Sequence, residues 1–232
     1  MHARKLLSAM AGFALLIAIL LSVIDGLSFR RSFYEYEYEK NSTAEYIGMS
    51  EESLMDATDA LLDYLHGLRD DIKVTAAVNG YVREVYDTRE TLHMVDVRNL
   101  YRNAILARNL MLTGGLLVFI VLIWRHINEA AELLFSGFTN GLIITAVCVA
   151  CLLGYALVDF NSFWMNFHYV FFDNDLFLLD PNVSIMINMF PETFFFDLVI
   201  RIIAVFSFLL ALIFGILLFL RKREKSAAYR SV

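Results

Sequence analysis

Proline is almost absent from this 232-residue chain, with 2 residues, and glycine is sparse, with 11. Charged residues make up 19%, against roughly 25% in soluble domains. Hydrophobic residues make up 59% and the mean hydropathy is +0.59. A soluble chain of this size has too little polar surface to cover so much apolar material, and the same composition excludes charge-driven disorder. The two cysteines, Cys148 and Cys151, both fall in an apolar run. They cannot build a disulfide framework outside a membrane, and a lone C-x-x-C without a second pair is no metal site, so they read as small helix residues. The net charge of −6 comes without the clustered basic face that a phosphate backbone requires, which argues against nucleic acid as a partner.

What is present is long hydrophobic runs. Four of them, at 6–29, 104–124, 133–158 and 195–220, approach or exceed the roughly 20 residues that cross a bilayer. The sequence therefore predicts an α-helical integral membrane protein with four transmembrane helices. Arg4-Lys5 ahead of the first run resembles the start of a signal peptide, but the run is too long and no A-x-A site follows, so it reads as an uncleaved anchor. Arg221, Lys222, Arg223 and Lys225 follow the fourth run, whereas 159–196 contains no Lys or Arg. The positive-inside rule then predicts cytoplasmic termini and two exofacial loops, and the basic residues of the first loop do not oppose this because long loops translocate largely regardless of charge. The expected organisation is an anchor helix over 1–29, an exofacial cap over 30–103, span 2 over 104–124, a cytoplasmic loop over 125–132, span 3 over 133–158, an exofacial interfacial loop over 159–194, span 4 over 195–220 and a basic cytoplasmic tail over 221–232.

The first loop is long enough to fold as a small mixed α/β cap. Phe33-Tyr34-Glu35-Tyr36-Glu37-Tyr38-Glu39 alternates aromatic with acid, the period of a half-buried strand. Ser50 ahead of Glu51 and Glu52 marks a helix start, and Leu54, Leu61, Leu62, Leu65 and Leu68 mark its inner stripe. Asn79-Gly80 between alternating stretches at 72–78 and 81–86 is a two-residue hairpin signal. Asp87 with Glu90 has capping-box spacing, and the helix it opens is expected to run through His93 and Asp96 into span 2. The second loop is rich in aromatics (Phe163, Trp164, Phe167, Tyr169, Phe171, Phe172, Phe177) and holds both prolines, Pro181 and Pro191. It reads as a short interfacial helix followed by an irregular re-entrant stretch, a place to grip a lipid.

Of five histidines, His2, His66 and His126 read as surface residues. His93 and His168 fall in the two loops, near the membrane boundary. On a helix, Glu90 and Asp96 lie three residues either side of His93, so either carboxylate is able to orient its ring. Glu90-Thr91-Leu92-His93 contains E-x-x-H but lacks the H-E-x-x-H pair of zinc ligands, and no other metal spacing is present. No G-x-S-x-G elbow exists and neither loop contains cysteine, so a nucleophile for acyl chemistry belongs to the substrate. Arg108 and Arg201 lie within spans 2 and 4, where an arginine needs a partner or a polar cavity; Asp25 and Asp197 are candidate partners.

His93-Met94-Val95-Asp96-Val97-Arg98 resembles an H-M-x-D-V-[KR] block. Phe167-His168-Tyr169-Val170-Phe171-Phe172-Asp173-Asn174, followed by Leu179-Asp180-Pro181 and Met189-Phe190-Pro191-Glu192, resembles an F-H-x-x-F-F-x-N…L-D-P…M-F-P-E signature. Phe33-Tyr34-x-x-Glu37-Tyr38 and Asp63-Tyr64-Leu65-x-Gly67 fit as well; Phe177 in place of Trp and Asn182-Val183-Ser184 depart from the pattern. Over about 30–220 the chain thereby resembles the bacterial lipoprotein intramolecular transacylase family. The resemblance implies a bacterial cell-membrane acyltransferase that moves the sn-2 acyl chain of a diacylglyceryl lipoprotein to the free α-amine of its N-terminal cysteine, giving the lyso-form. Its partners would be diacylated lipoproteins and membrane lipid, and no cofactor or metal is implied. Catalysis would fall to His93 and His168 as an acid/base dyad with Asp96 orienting His93, and to Arg98, Arg108, Arg201, Asn174 and Tyr34 as candidates for holding substrate or the oxyanion. Competing readings are a non-enzymatic membrane protein that presents lipoproteins and an exofacial metal hydrolase. A transporter is disfavoured because uninterrupted spans offer no midplane site.

Overall fold

The computed structural model describes residues 2–230, with side chains over 3–226; the His2 side chain and the end of the basic tail lie outside the described residues. Four helices are long and apolar enough to cross a membrane, at Ala3–Ser28, Thr88–Arg125, Ile127–Val158 and Glu192–Ser226. They correspond to α1 (His2–Ser28), α5 (Thr88–Arg125), α6 (Ala130–Val158, preceded by a 3-10 turn) and α9 (Glu192–Arg230). Helix α5 has 38 residues and so extends about 57 Å, far more than a hydrocarbon core of about 30 Å needs. Its first part carries Arg89, Glu90, Asp96, Arg98 and Arg102, and the residues after Asn103 are mostly apolar.

The chain forms two compact units. The first comprises Met1–Asp25, Ala104–Tyr155 and Ile200–Val232. Within it, α1 and α6 approach backbone to backbone. A Cβ on Gly141 would stand 2.6 Å from Phe13 N, and one on Gly137 would stand 2.5 Å from Ser8 O. Ser8, fully buried, donates from Oγ to Leu133 O at 2.7 Å. Small residues permit such approach, and the hydroxyl-to-carbonyl bond adds to it where no water competes. Arg108 Nη1 donates to Asp25 Oδ2 at 2.6 Å, so this arginine has its expected partner. Elsewhere in the unit Arg221 clamps Glu132 through Nε and Nη2 at 2.7 and 3.0 Å, and Glu224 accepts from the amides of Ala131 and Glu132, closing the start of α6. Gly137→Ala is expected to lower the thermal midpoint in detergent. Its methyl meets a backbone oxygen that cannot swing away, an overpacking cost of about 1–3 kcal/mol. An unchanged melt would show that the two helices separate freely.

The second unit comprises Gly26–Asn103 and Ala156–Val199. It contains α2 (Arg31–Asn41), α3 (Thr43–Ile47), α4 (Glu51–His66), the hairpin of β1 (Thr75–Val78) and β2 (Tyr81–Glu84), the start of α5, α7 (Phe160–Phe171) and α8 (Ile185–Met189). Helix α4 is capped by Ser50 Oγ, which accepts from Ser53 N at 3.1 Å. The strands pair antiparallel with Val78 opposite Tyr81, and Asn79 and Gly80, at φ 51° and 82°, form the turn with two left-handed residues that an Asn-Gly pair favours. Two local expectations are corrected. The 33–39 segment is helix α2, not a strand: its buried side chains are Phe33, Tyr34, Glu37 and Tyr38, at i, i+1, i+4 and i+5, so the contacts follow helical spacing while Tyr36 points outward. Leu68 is 74% exposed, because α4 ends at Gly67, φ +83°, one residue before it. The unit's core joins both loops: Tyr34, Tyr38, Leu54, Leu61 and Ile72 from the first cluster with Met186, Met189 and Phe194 from the second.

Candidate functional site

His93 and His168 come together in the second unit, with ring centroids 5.9 Å apart and planes inclined by 35°. Both are buried. Local sequence dictates each helix that carries them. Asp87 Oδ1 accepts from Glu90 N at 2.8 Å while Glu90 Oε2 accepts from Asp87 N at 2.6 Å, the reciprocal capping box that opens α5. His93 follows one turn later. Asp159 Oδ1 accepts from Ser162 N at 2.9 Å and starts α7, which presents His168 at its last turn.

The polar environment of the two rings differs. His168 Nδ1 lies 2.8 Å from Trp164 O; a carbonyl only accepts, so Nδ1 carries the proton and the lone pair of the neutral ring sits on Nε2. His93 Nδ1 is buried with no hydrogen-bond partner among the described residues. Aromatic rings supply the remaining walls. Phe172 meets His93 edge-on at 5.3 Å, Phe177 stacks on His168 at 4.8 Å, and Trp164 meets His168 edge-on at 5.0 Å. Phe172 and Phe177 flank a turn tied to α5 at two points. Asn174 Nδ2 donates to Asp96 Oδ2 at 2.8 Å, and Arg89 pairs with Asp175 at 3.3 Å. Asp96 and Arg89 thus bracket His93 along one helix.

Burial is the main reason that the His93 pKa falls to about 4; the neighbouring His168 and Arg89 push the same way and Asp96 opposes them. Burial also lowers His168, against the hydrogen bond to Trp164 O, which raises it. Both rings are therefore neutral at neutral pH. A neutral histidine in the fold that is charged in the unfolded chain contributes stability above about pH 6.5, and that contribution is lost as pH falls toward 4. The expected result is a fall in thermal midpoint between pH 6.5 and 4 that is smaller in His93→Gln, by up to about 3 kcal/mol at the acid end. An identical fall in the variant would show that His93 does not titrate this way.

Asp96 accepts from Asn174 and acts on His93 through charge. Glu90, the other predicted orienter, is 1% exposed and uses its second oxygen on Ser184 Oγ at 2.6 Å and Met186 N at 2.8 Å. The capping half of this role is legible in sequence, but the half that reaches 94 residues onward to Ser184 carries no local signal. Tyr34 is buried, donates to Ser28 O at 2.6 Å and packs against Phe190 and Phe194. Arg98 lies over the Tyr64 ring at 4.4 Å. Arg108 and Arg201 belong to the first unit. Asp197, a candidate partner for them, contacts Lys40 Nζ. His66 is exposed and stacks on Phe29 at 3.7 Å. Among the described residues no three His, Cys, Asp or Glu side chains are grouped to hold a metal ion.

The sequence model of the family described as lipoprotein intramolecular transacylase Lit matches residues 9–195. No curated protein sequence matches. Among solved structures, the membrane integral lipoprotein intramolecular transacylase Lit from Bacillus cereus is similar with a TM-score of 0.81 at 18% identity, over 97% of this chain and 99% of that one. Two variants of that protein, each with one histidine replaced, by arginine or by alanine, are similar with TM-scores of 0.77 and 0.76 at 18% identity. They cover 97% of this chain and 95% and 96% of theirs.

Proposed function

The chain belongs to the lipoprotein intramolecular transacylase family, an acyltransferase family, and from that premise we propose that it transfers the sn-2 acyl chain of a diacylglyceryl lipoprotein to the free α-amine of the same molecule's N-terminal cysteine. The observation that carries the mechanism is the pair of buried, neutral histidine rings 5.9 Å apart. No acyl-enzyme is needed, because the substrate brings its own nucleophile. Holding amine and ester in one pose replaces an encounter between molecules and contributes up to about 7–11 kcal/mol.

What remains is a proton. As the amine nitrogen bonds to the ester carbonyl, His168 Nε2 accepts the proton that nitrogen releases; the tautomer held by Trp164 O leaves that lone pair free. The tetrahedral centre then collapses, the bond to the glyceryl oxygen breaks, and that oxygen gains a proton. His93 is the donor. Burial keeps its protonated form acidic, so a proton reaching it passes readily to the departing oxygen. Asp96, held by Asn174, steadies the transient positive charge. One proton leaves nitrogen, one arrives on oxygen, and the dyad ends as it began. The aromatic walls exclude water, which otherwise competes with the amine and would release a fatty acid.

The Lys/Arg distribution supports cytoplasmic termini and the dyad on the extracellular side, the family supports a bacterial cell membrane as the host, and the apolar runs support spans at 104–124, 133–158 and 195–220 with the anchor at 6–29. The test is purified protein with a synthetic diacylglyceryl lipopeptide that bears a free amine, followed by tandem mass spectrometry. The parent mass stays constant, because the reaction is an isomerisation, while fragments carry one acyl group on the cysteine nitrogen. Loss of one acyl mass would make the protein a hydrolase, and an unaltered peptide would favour the lipoprotein-presenting reading.

A further inference from the structure

Arg98 and Arg102 occupy positions i and i+4 of α5, where like charges repel. Both guanidinium groups nevertheless aim at one spot: Nη2 of Arg98 and Nη2 of Arg102 lie 3.5 and 3.9 Å from the place a Cβ on Gly67 would take. Gly67 has φ +83° and ends α4, so the space beside it is left open by a residue that the backbone requires to be glycine. Cations near a helix C-terminus are ordinarily explained by its free carbonyl groups. Here two of those carbonyls are taken, Tyr64 O by Gly67 N and Asp63 O by Leu68 N. Among the described residues neither arginine donates a hydrogen bond or forms an ion pair, and Arg98 Nε is buried with no partner. A guanidinium has five donors and loses free energy when a buried one goes unused. Two guanidinium groups converging without a carboxylate between them, one of them with a buried unused donor, suit an anion.

We propose that Arg98, Arg102 and the open edge at Gly67 bind a phosphate group, the headgroup of an anionic phospholipid, separately from the His93–His168 dyad. Planar guanidinium forks match phosphate oxygens in pairs. Arg102 stands two residues before the apolar stretch that begins at Ala104, the depth at which lipid phosphates lie, and the neighbouring stack of Phe29, His66 and Tyr101 has the aromatic character of a membrane boundary. The site would hold a resident lipid beside the lipoprotein substrate, which itself carries no phosphate on its glyceryl group.

Protein purified in neutral detergent and reconstituted with phosphatidylcholine containing a minority of phosphatidylglycerol is the material for the test, with retained lipid counted by native mass spectrometry. The wild-type protein should keep a phosphatidylglycerol molecule, and the doubly substituted Arg98→Gln, Arg102→Gln protein should lose it by about tenfold or more. Arg69→Gln, which removes one positive charge from a surface arginine paired with Asp71, should retain it. Addition of inorganic phosphate separates the two sources of the same chemistry. Lipid that stays bound identifies the headgroup as the ligand, and lipid that is displaced identifies free phosphate as a competing occupant of the same site. Equal retention by the double variant, equal loss in Arg69→Gln, or no preference for phosphatidylglycerol in the wild type would overturn the proposal. If the double variant fails to fold, Arg102→Gln alone carries the comparison, because Arg102 is exposed and packs in no core.

Discussion

His168→Ala is expected to reduce the rate of N-acylation by about 10²–10⁴-fold, the usual contribution of a positioned acid/base group. His93→Ala is expected to fall in the same range, and the double variant to be no slower than the slower single, because the two rings act on one proton. Alanine also removes aromatic packing against Phe172 and Phe177, so a sharper pair of substitutions is needed. In His168→Asn the side-chain amide nitrogen takes the place of Nδ1 and still donates to Trp164 O, but nothing stands where Nε2 stood. That variant should melt close to the wild type and be inactive. His168→Gln reverses the trade: its amide reaches toward the Nε2 position while the bond to Trp164 O is lost. Initial rates by mass spectrometry, with melting curves on the same samples, decide the matter. If His168→Asn keeps more than about a tenth of the wild-type rate, a base at Nε2 is not part of the reaction.

The pH dependence follows from the same assignment. With His93 held near pKa 4 by burial, that ring stays neutral through the range in which an unperturbed histidine titrates, and burial lowers His168 from its ordinary value as well. The titrating group near neutrality is then the substrate amine, whose ordinary pKa is about 7.7–8.0. kcat/KM should rise toward pH 8 along that single curve without a further break near 6.5. A break there that disappears in His93→Gln would show that the ring is solvated in the working enzyme.

How far the fold was legible depends on the range of the contacts that make it. Four membrane-length apolar helices, the Ser50 cap, the Asn79-Gly80 turn and the Asp87–Glu90 box each rest on local sequence, and each is present in the structure. Helix α2 reads as a strand in sequence because aromatic and acidic residues alternate over 33–39, although burial falls on Phe33, Tyr34, Glu37 and Tyr38 in pairs and not at every second residue. Alternation in so short a window is compatible with a strand, and only the partners of Tyr34 and Tyr38, Phe190 and Phe194 from the second loop, select the helix. The pairing of His93 with His168 spans 75 positions and has no periodic signature; family-like motifs, not spacing, pointed to both. The walls of the site were half visible: Phe172 and Phe177 stood in an aromatic-rich stretch that read as a lipid-facing surface, whereas both are buried against the histidines.

Glu90 is the residue whose loss should cost the fold most. Its carboxylate, 1% exposed, accepts three hydrogen bonds: from Asp87 N at 2.6 Å, Ser184 Oγ at 2.6 Å and Met186 N at 2.8 Å. Glu90→Ala strands these donors in a buried place at about 1–3 kcal/mol each, and the protein is expected to melt far below the wild type or fail to accumulate. Glu90→Gln is the informative change. It keeps the volume, but its amide nitrogen must face either Asp87 N or the Ser184 and Met186 pair. The Ser184 hydroxyl is able to rotate and accept, whereas the Met186 amide is not, so the loss is partial, about 1–3 kcal/mol. Ser184→Ala removes one donor to the Glu90 carboxylate and the cap of α8, where Ser184 Oγ accepts from Ile187 N at 3.2 Å, for about 1–2 kcal/mol. Combining the last two substitutions should depart from additivity, because the hydroxyl that Ser184→Ala removes is the group able to accept from the new amide in Glu90→Gln. Glu90 lies one helical turn before His93 and joins α5 to the segment leading into α8, so the same variants should also lower kcat with little change in KM, as the ring is displaced and not the substrate. Additive stability losses in the double variant, or unaltered kcat in Glu90→Gln, would reduce Glu90 to a helix cap with no part in placing the dyad.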